Sequence, residues 1–298
     1  YPLSTYSKQQ KKIFDGSATV RNGDFNFTFI VSKDINYTVG LGKISLYANM
    51  ENGTLADAGG FLKINIGSAE KNVDVDITPP QVKVFLNDES FVQGGVTGNN
   101  PLLIVKLYDE NGISSVGGIG TSITATLNSD SKNQIVLDSY FKSDRDSYQS
   151  GTIRYRLSNL PEGDNNIKIN AFDANKIGVG KENGILNFTV LNSEKLALTH
   201  VLNYPNPFTN STVFHFDHNR AGDNLEVMLQ IFTVTGKLVK TFTSFEPNAK
   251  THISDFHWDG KDDFGDKIGR GVYVYKLSVK ALSDGVKKEA FEKLVILN

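Results

Sequence analysis

Acidic and imidazole side chains gather at two places in the last third of this 298-residue chain, and both invite a metal reading. His215, Asp217 and His218 offer nitrogen and oxygen donors within four residues, with His257 further along. On a strand, however, His215 and Asp217 share one face while His218 points to the other, so the three cannot close on one ion. They read as ordinary strand residues, and no histidine is carried forward as a site. The loop Asp259-Gly260-Lys261-Asp262-Asp263-Phe264-Gly265-Asp266 is a stronger case. Several carboxylates on a tight loop can give a hard cation its oxygen ligands, which makes Asp259, Asp262 and Asp263 calcium candidates. The spacing is not that of an EF-hand. Asp and Gly also fill such loops for conformational reasons, Asp by bonding its own backbone and Gly by tolerating the left-handed region, and this turn-forming reading is preferred. Asp144 and Asp146 invite a similar, weaker remark.

Catalytic chemistry finds less. A Cys count of 0 excludes a thiol nucleophile, a disulfide framework and a cysteine metal site within this chain. There is no Gly-x-Ser-x-Gly elbow and no phosphate loop, and Gly178-x-Gly180-x-x-x-Gly184 misses the dinucleotide spacing. No residue is assigned a catalytic role, and no cofactor is expected beyond the calcium candidates. Tyr37, Tyr47, Tyr140 and Tyr148 could bind sugar or a protein partner, although packing or chance surface placement is favoured. Charge narrows the partners: Lys+Arg 31 against Asp+Glu 33 leaves no basic field for nucleic acid or an anionic membrane surface. No apolar run approaches the roughly 20 residues that span a bilayer. The start, Tyr1-Pro2-Leu3-Ser4, has neither a basic nor an apolar leader region, which suggests the C-terminal piece of something larger or a processed product.

The elements that must position these residues are strands. Phe25, Phe27, Phe29 and Val31 alternate with Asp24, Asn26, Thr28 and Ile30, and Lys43 to Ala48 and Phe61 to Ile66 repeat the pattern after a loop expected over Val39 to Gly42. Pro79-Pro80 suits a linker into an edge strand, Gln81 to Leu86. Strands are then expected at Leu102 to Tyr108, Ser122 to Leu127, Gln134 to Leu137, Gly151 to Leu157, Asn166 to Phe172 and Leu186 to Leu191, an immunoglobulin-like spacing. After a linker at Ser193 to Leu198, further strands are expected at Thr212 to Phe216, Leu225 to Thr233, Leu238 to Phe242, Ile253 to Trp258, Gly271 to Ala281 and Glu289 to Leu297. Val234-Thr235-Gly236-Lys237 reads as a hairpin turn, since Gly accepts a positive φ. Lys8 to Phe14 is the one short helical candidate. The fold class is all-β, in serial immunoglobulin-like β-sandwich domains expected over 1–76, 77–195 and 196–298.

Separated motifs in the third segment carry a resemblance. Tyr204-Pro205-Asn206-Pro207-Phe208, Gly236-Lys237, Trp258-Asp259-Gly260 with Asp263 and Gly265, Gly271-Val272-Tyr273 and Lys293-Leu294-Val295 resemble, in that order, the C-terminal sorting domain of cargo secreted by the type IX system of Bacteroidetes. The immunoglobulin-like domain of flagellar hook-capping proteins shares the pattern more loosely. Upstream, Thr78-Pro79-Pro80-Gln81-Val82, Leu107-Tyr108-Asp109-Glu110-Asn111-Gly112-Ile113, Gly120 to Ala125 and Val136 to Phe141 resemble the region that follows the peptidase domain in the PorU family of type IX sortases. Phe29 to Ile35 and Gly42 to Ala48 resemble the segment immediately before it.

That resemblance implies a gingipain-like cysteine peptidase whose catalytic Cys and His lie upstream of Tyr1. It implies removal of sorting domains from emerging cargo and transfer of the cargo to an anionic lipopolysaccharide. The setting would be the surface of a Gram-negative bacterium, associated with the outer membrane. The implied partners are an outer-membrane β-barrel of the PorV type, other type IX secretion components and cargo sorting domains. The residues expected to meet the barrel are Tyr204, Asn206, Phe208, Gly236, Lys237, Gly271, Tyr273, Lys293 and Leu294. Two other classes stay open at this point: a cargo adhesin ending in a sorting domain, and a periplasmic scaffold of the hook-capping type.

Overall fold

The computed structural model describes residues 13–33, 35, 37–48, 58–68, 76–115, 117, 120–191 and 195–297. The architecture is all-β, with one three-residue 3-10 turn at Asp138–Tyr140 as the only helical element among the described residues. The helical candidate Lys8 to Phe14 falls largely outside them, and Ile13 and Phe14 are not helical.

In the first segment, β1 (Gly40–Ala48) and β2 (Ala58–Ile66) form a two-stranded antiparallel sheet. Gly40 to Gly42, expected in a loop, belong to β1. Gly42 stands opposite Ile64, and a Cβ there would lie 2.3 Å from Ile66 Cδ1, so the missing side chain makes room for an isoleucine. Phe25 to Val31 corrects the expectation in the other direction. The segment joins no ladder among the described residues; its alternation instead stacks Phe25, Phe27 and Phe29 along one side, with Phe14 5.2 Å from Phe29. Period two brings the rings together, but a strand also needs a hydrogen-bonding partner.

The middle of the chain supplies β3 (Gln81–Leu86), β4 (Val96–Thr97), β5 (Leu102–Tyr108), β6 (Thr124–Leu127), β7 (Ile135–Val136), β8 (Phe141–Ser143), β9 (Ser150–Arg156), β10 (Gly163–Asn170) and β11 (Ile185–Val190). They make two sheets, ordered β3-β5-β9-β8 and β4-β11-β10-β6-β7. All pairings are antiparallel except β4 with β11. The alternation that makes β5 a strand puts Leu103, Val105 and Leu107 on its inner face. There they meet Ile153, Ile167, Ile169, Phe188 and Val190 in one buried core.

The last part contains β12 (Leu198–Tyr204), β13 (Thr212–His218), β14 (Leu225–Thr233), β15 (Leu238–Glu246), β16 (His252–Trp258), β17 (Gly271–Ala281) and β18 (Lys287–Ile296). A four-stranded sheet, β15-β14-β17-β18, covers a three-stranded one, β12-β13-β16. Val227, Leu229, Ile231, Leu277 and Leu294 pack against Phe214, Phe216, Ile253 and Trp258, with the Phe214 ring edge-on to Tyr275 at 4.8 Å. β12, which starts at Leu198 where the expected linker ends, is a strand that was not expected. Its register shifts between Thr199 and Leu202 around His200, whose φ is 47°, and this bulge breaks the alternation by which a strand is recognised.

Candidate functional site

The terminal sandwich gathers most of the motif residues at one end, and its geometry sorts them by job. Asn206 completes an edge: its Nδ2 donates to Lys293 O and its Oδ1 accepts the Val295 N–H, both at 3.0 Å. Phe208 continues the pairing through its own backbone, donating to Val295 O at 3.0 Å and accepting from Leu297 N at 2.9 Å. The second half of β18 is therefore covered by residues 206 to 208. Phe208 is 2% exposed and lies 5.7 Å from Trp258, while Leu294 and Tyr273 are also buried. The side chains of Phe208, Leu294 and Tyr273 face inward and hold the shape of this end of the sandwich. Tyr204, 72% exposed, turns outward from β12. Gly236 takes φ 88° in the hairpin turn that closes with Gly236 N on Thr233 O, and Lys237 is exposed beside it.

The outward face of the four-stranded sheet was not anticipated from the sequence. Residues directly opposite on neighbouring strands share a face, and the register aligns Leu238, Phe232, Val274 and Lys293 in one row. Val272 with Val295 and Lys276 with Phe291 flank it. Leu238, Val272 and Phe291 are exposed, and Val234 rises from the turn at the same end. This mostly apolar row lies on the solvent side of the sheet and ends in Lys293, with Lys237 and Lys276 beside it. The signal was present as apolar residues at both parities of β17 and β18.

The Asp-rich loop has other employment. Trp258 Nε1 donates to Lys261 O at 2.8 Å and anchors it. Asp262 Oδ1 accepts the Phe264 and Asp266 N–H groups, both at 2.9 Å, and Asp259 pairs with Lys261. Asp263 caps the free edge of β15, donating its N–H to Val239 O at 3.2 Å and placing Oδ1 3.3 Å from both Thr241 N and Lys240 Nζ. Asp146 likewise accepts Thr19 N and Oγ1, at 2.6 and 2.5 Å, which ties the first segment to the middle sandwich. Of the four tyrosines, Tyr37, Tyr47 and Tyr140 are exposed, Tyr140 edge-on to Tyr155 at 4.9 Å, while Tyr148 packs over Gly112.

Two clusters form that linear spacing could not show. Buried Asp217 accepts from His200 Nδ1 through Oδ2 and from His252 Nδ1 through Oδ1, each at 2.7 Å, and His252 Nε2 lies 3.3 Å from His215 Nδ1. His215 and Asp217 do share a face, as expected, and partners from β12 and β16 complete the chain. Burial pushes the His215 imidazole below its usual range, with His252 and His257 adding to the effect. The second cluster is Asp76, Asp109 and Asp173, with ligand oxygens within 4.8 Å of one another. Burial, then the adjoining Asp76 carboxyl, pushes Asp173 up to about 7. The Thr78 N–H, then the contact with Asp173, holds Asp76 down at about 2. Burial also raises Asp109, with the charges of Asp76 and Glu110 adding to it.

These elements define an all-β protein of serial immunoglobulin-like sandwiches. Over 92% of its length the chain is 31% identical to dimeric latent PorU from Porphyromonas gingivalis, with a TM-score of 0.39, and it spans 25% of that chain. It is also similar to the fibronectin(III)-like modules of Clostridium thermocellum CbhA, at 11% identity over 73% of this chain and 93% of that one, TM-score 0.27. The FN1–FN3 domains of chicken CNTN1 match at 10% identity over 86% of this chain and 78% of theirs, TM-score 0.25. No family model matches the chain, and no curated protein does.

Proposed function

We propose that this chain is the docking portion of a PorU-type sortase of the type IX secretion system, lying C-terminal to a gingipain-like cysteine peptidase domain. One observation carries the reading: identity of 31% to PorU extends over 92% of the chain rather than over one motif. The chain spans a quarter of that protein and its own Cys count is 0, so the parent's peptidase Cys belongs to residues outside the 298. The parent removes sorting domains from cargo at the cell surface and joins the cargo to anionic lipopolysaccharide. This portion holds it at the outer membrane, on a β-barrel of the PorV type.

The terminal sandwich suits that work because its fold ends in an outward apolar row and a partly open edge. Residues 206 to 208 occupy the second half of β18, and the first half, from Lys287, is where an added strand would pair. Docking without catalysis separates two readouts. In the full-length parent, Val272→Glu with Phe291→Glu should leave cleavage of a sorting-domain peptide in solution unchanged, while cells carrying it accumulate cargo with the sorting domain attached. Normal cargo processing by that variant contradicts the docking role of this face.

A further inference from the structure

Three carboxylates meet where the chain enters the middle sandwich. Asp76 stands before Pro79-Pro80, Asp109 directly follows β5, and Asp173 lies in the connection from β10 to β11. One oxygen of each lies within 4.8 Å of the others, although Asp109 is 2% exposed and Asp173 0%. Most of their remaining capacity is used. Asp109 Oδ1 accepts the Asn111 N–H at 2.8 Å, and Asp76 Oδ1 accepts the Thr78 N–H at 2.9 Å. Asp76 Oδ2 accepts the Asn111 and Asn175 side-chain amides at 2.8 and 3.2 Å. Asp173 Oδ1 accepts the Ile177 N–H at 2.6 Å, and its Oδ2 is buried with no hydrogen-bond partner among the described residues.

A buried acceptor with no donor is destabilising, more so when charged, and like charges this close repel. A cation removes both penalties at once. The donors are carboxylate and amide groups without sulfur or imidazole, a set that suits a hard ion and favours calcium over zinc. Half a turn of the Asn111 or Asn175 amide presents its oxygen in place of its nitrogen. Three carboxylates, two amide oxygens and water reach the six to eight oxygens that calcium takes.

We propose that Asp76, Asp109 and Asp173, with Asn111 and Asn175, form a calcium site that fixes the chain entering the middle sandwich to two of its loops. The first segment already touches those loops: Lys33 N donates to Ala174 O at 2.9 Å, and the Ser32 and Ser114 hydroxyls lie 3.0 Å apart. A bound ion makes this junction stiff, so the direction in which the first segment leaves the sandwich depends on calcium. The inference stands apart from the docking role and does not rest on it.

Thermal unfolding of the 298-residue chain in about 2 mM calcium, compared with EGTA at equal ionic strength, reads the site directly. The expected result is a saturable rise in Tm of about 5 °C. Asp173→Asn keeps the shape and removes the charge, and should abolish the rise; Asp259→Asn, in the terminal loop, should keep it. Terbium luminescence on the unmodified chain, displaced by calcium, gives a reading independent of whether Asp173→Asn folds. Absence of both the shift and displaceable terbium overturns the proposal, as does a shift that survives Asp173→Asn or is lost in Asp259→Asn.

Discussion

Asn206 replaces a strand with a side chain. Its amide bonds one N–H and one C=O of β18 that would otherwise stand open at the sheet edge. Asn206→Ala removes both bonds at a partly wet site, and should lower stability by about 1–2 kcal/mol, measured by urea unfolding. Phe208→Ala removes a ring from the core beside Trp258 and should cost about 3–5 kcal/mol in the same assay. The contrast separates the two halves of a motif that looks uniform in sequence. His218 makes a pH prediction. It is fully buried, its Nδ1 accepts the Arg220 N–H at 3.1 Å, and burial pushes its pKa down to about 4. The unfolded chain takes up this proton near the ordinary 6.5 and the folded chain only near 4, so His218 withdraws stability as the pH falls through that interval. Ring-proton NMR should show no titration of His218 between about pH 8 and 5; a midpoint near 6.5 contradicts its buried neutral state.

Elements were legible wherever alternation ran unbroken and a turn residue marked its end. Gln81–Leu86 and Leu102–Tyr108 lie where they were expected, as do Leu225–Thr233 and Gly271–Ala281, and the Gly236 turn joins β14 to β15. That turn gives a graded test. Gly236→Ala meets nothing at its Cβ and should cost only the positive-φ penalty, about 1 kcal/mol, whereas Gly184→Ala, with φ 70° and a Cβ 2.9 Å from Ile169 O, should cost about 3 kcal/mol. Calorimetry on the two variants ranks them. What sequence could not show follows physical causes. β12 hid behind its bulge, and β4 and β8 are too short for a period to appear. Phe25 to Val31 has the period of a strand but joins no ladder among the described residues. The Asp217 and Asp173 clusters assemble from strands and loops far apart in the chain, so no local spacing announces them.

At the scale of the whole molecule, one polar contact among the described residues joins two sandwiches directly. Asp88, in the connection after β3, accepts the Thr251 N–H at 2.7 Å and its hydroxyl at 2.9 Å, joining middle and terminal sandwiches across 163 residues. If docking belongs to the terminal sandwich, orientation of whatever precedes it passes through this contact and through the Asp76 junction at the other end. The central claim, that the outward face of β15-β14-β17-β18 meets an outer-membrane barrel, is tested most directly by the dissociation constant between the purified chain and a purified PorV-type barrel in detergent. The unmodified chain should bind at about 1 μM or tighter, and Val272→Glu with Phe291→Glu should weaken binding at least about tenfold, a loss of about 1.4 kcal/mol, with Tm unchanged. Equal affinity of the two proteins, or no binding by the unmodified chain, contradicts the account.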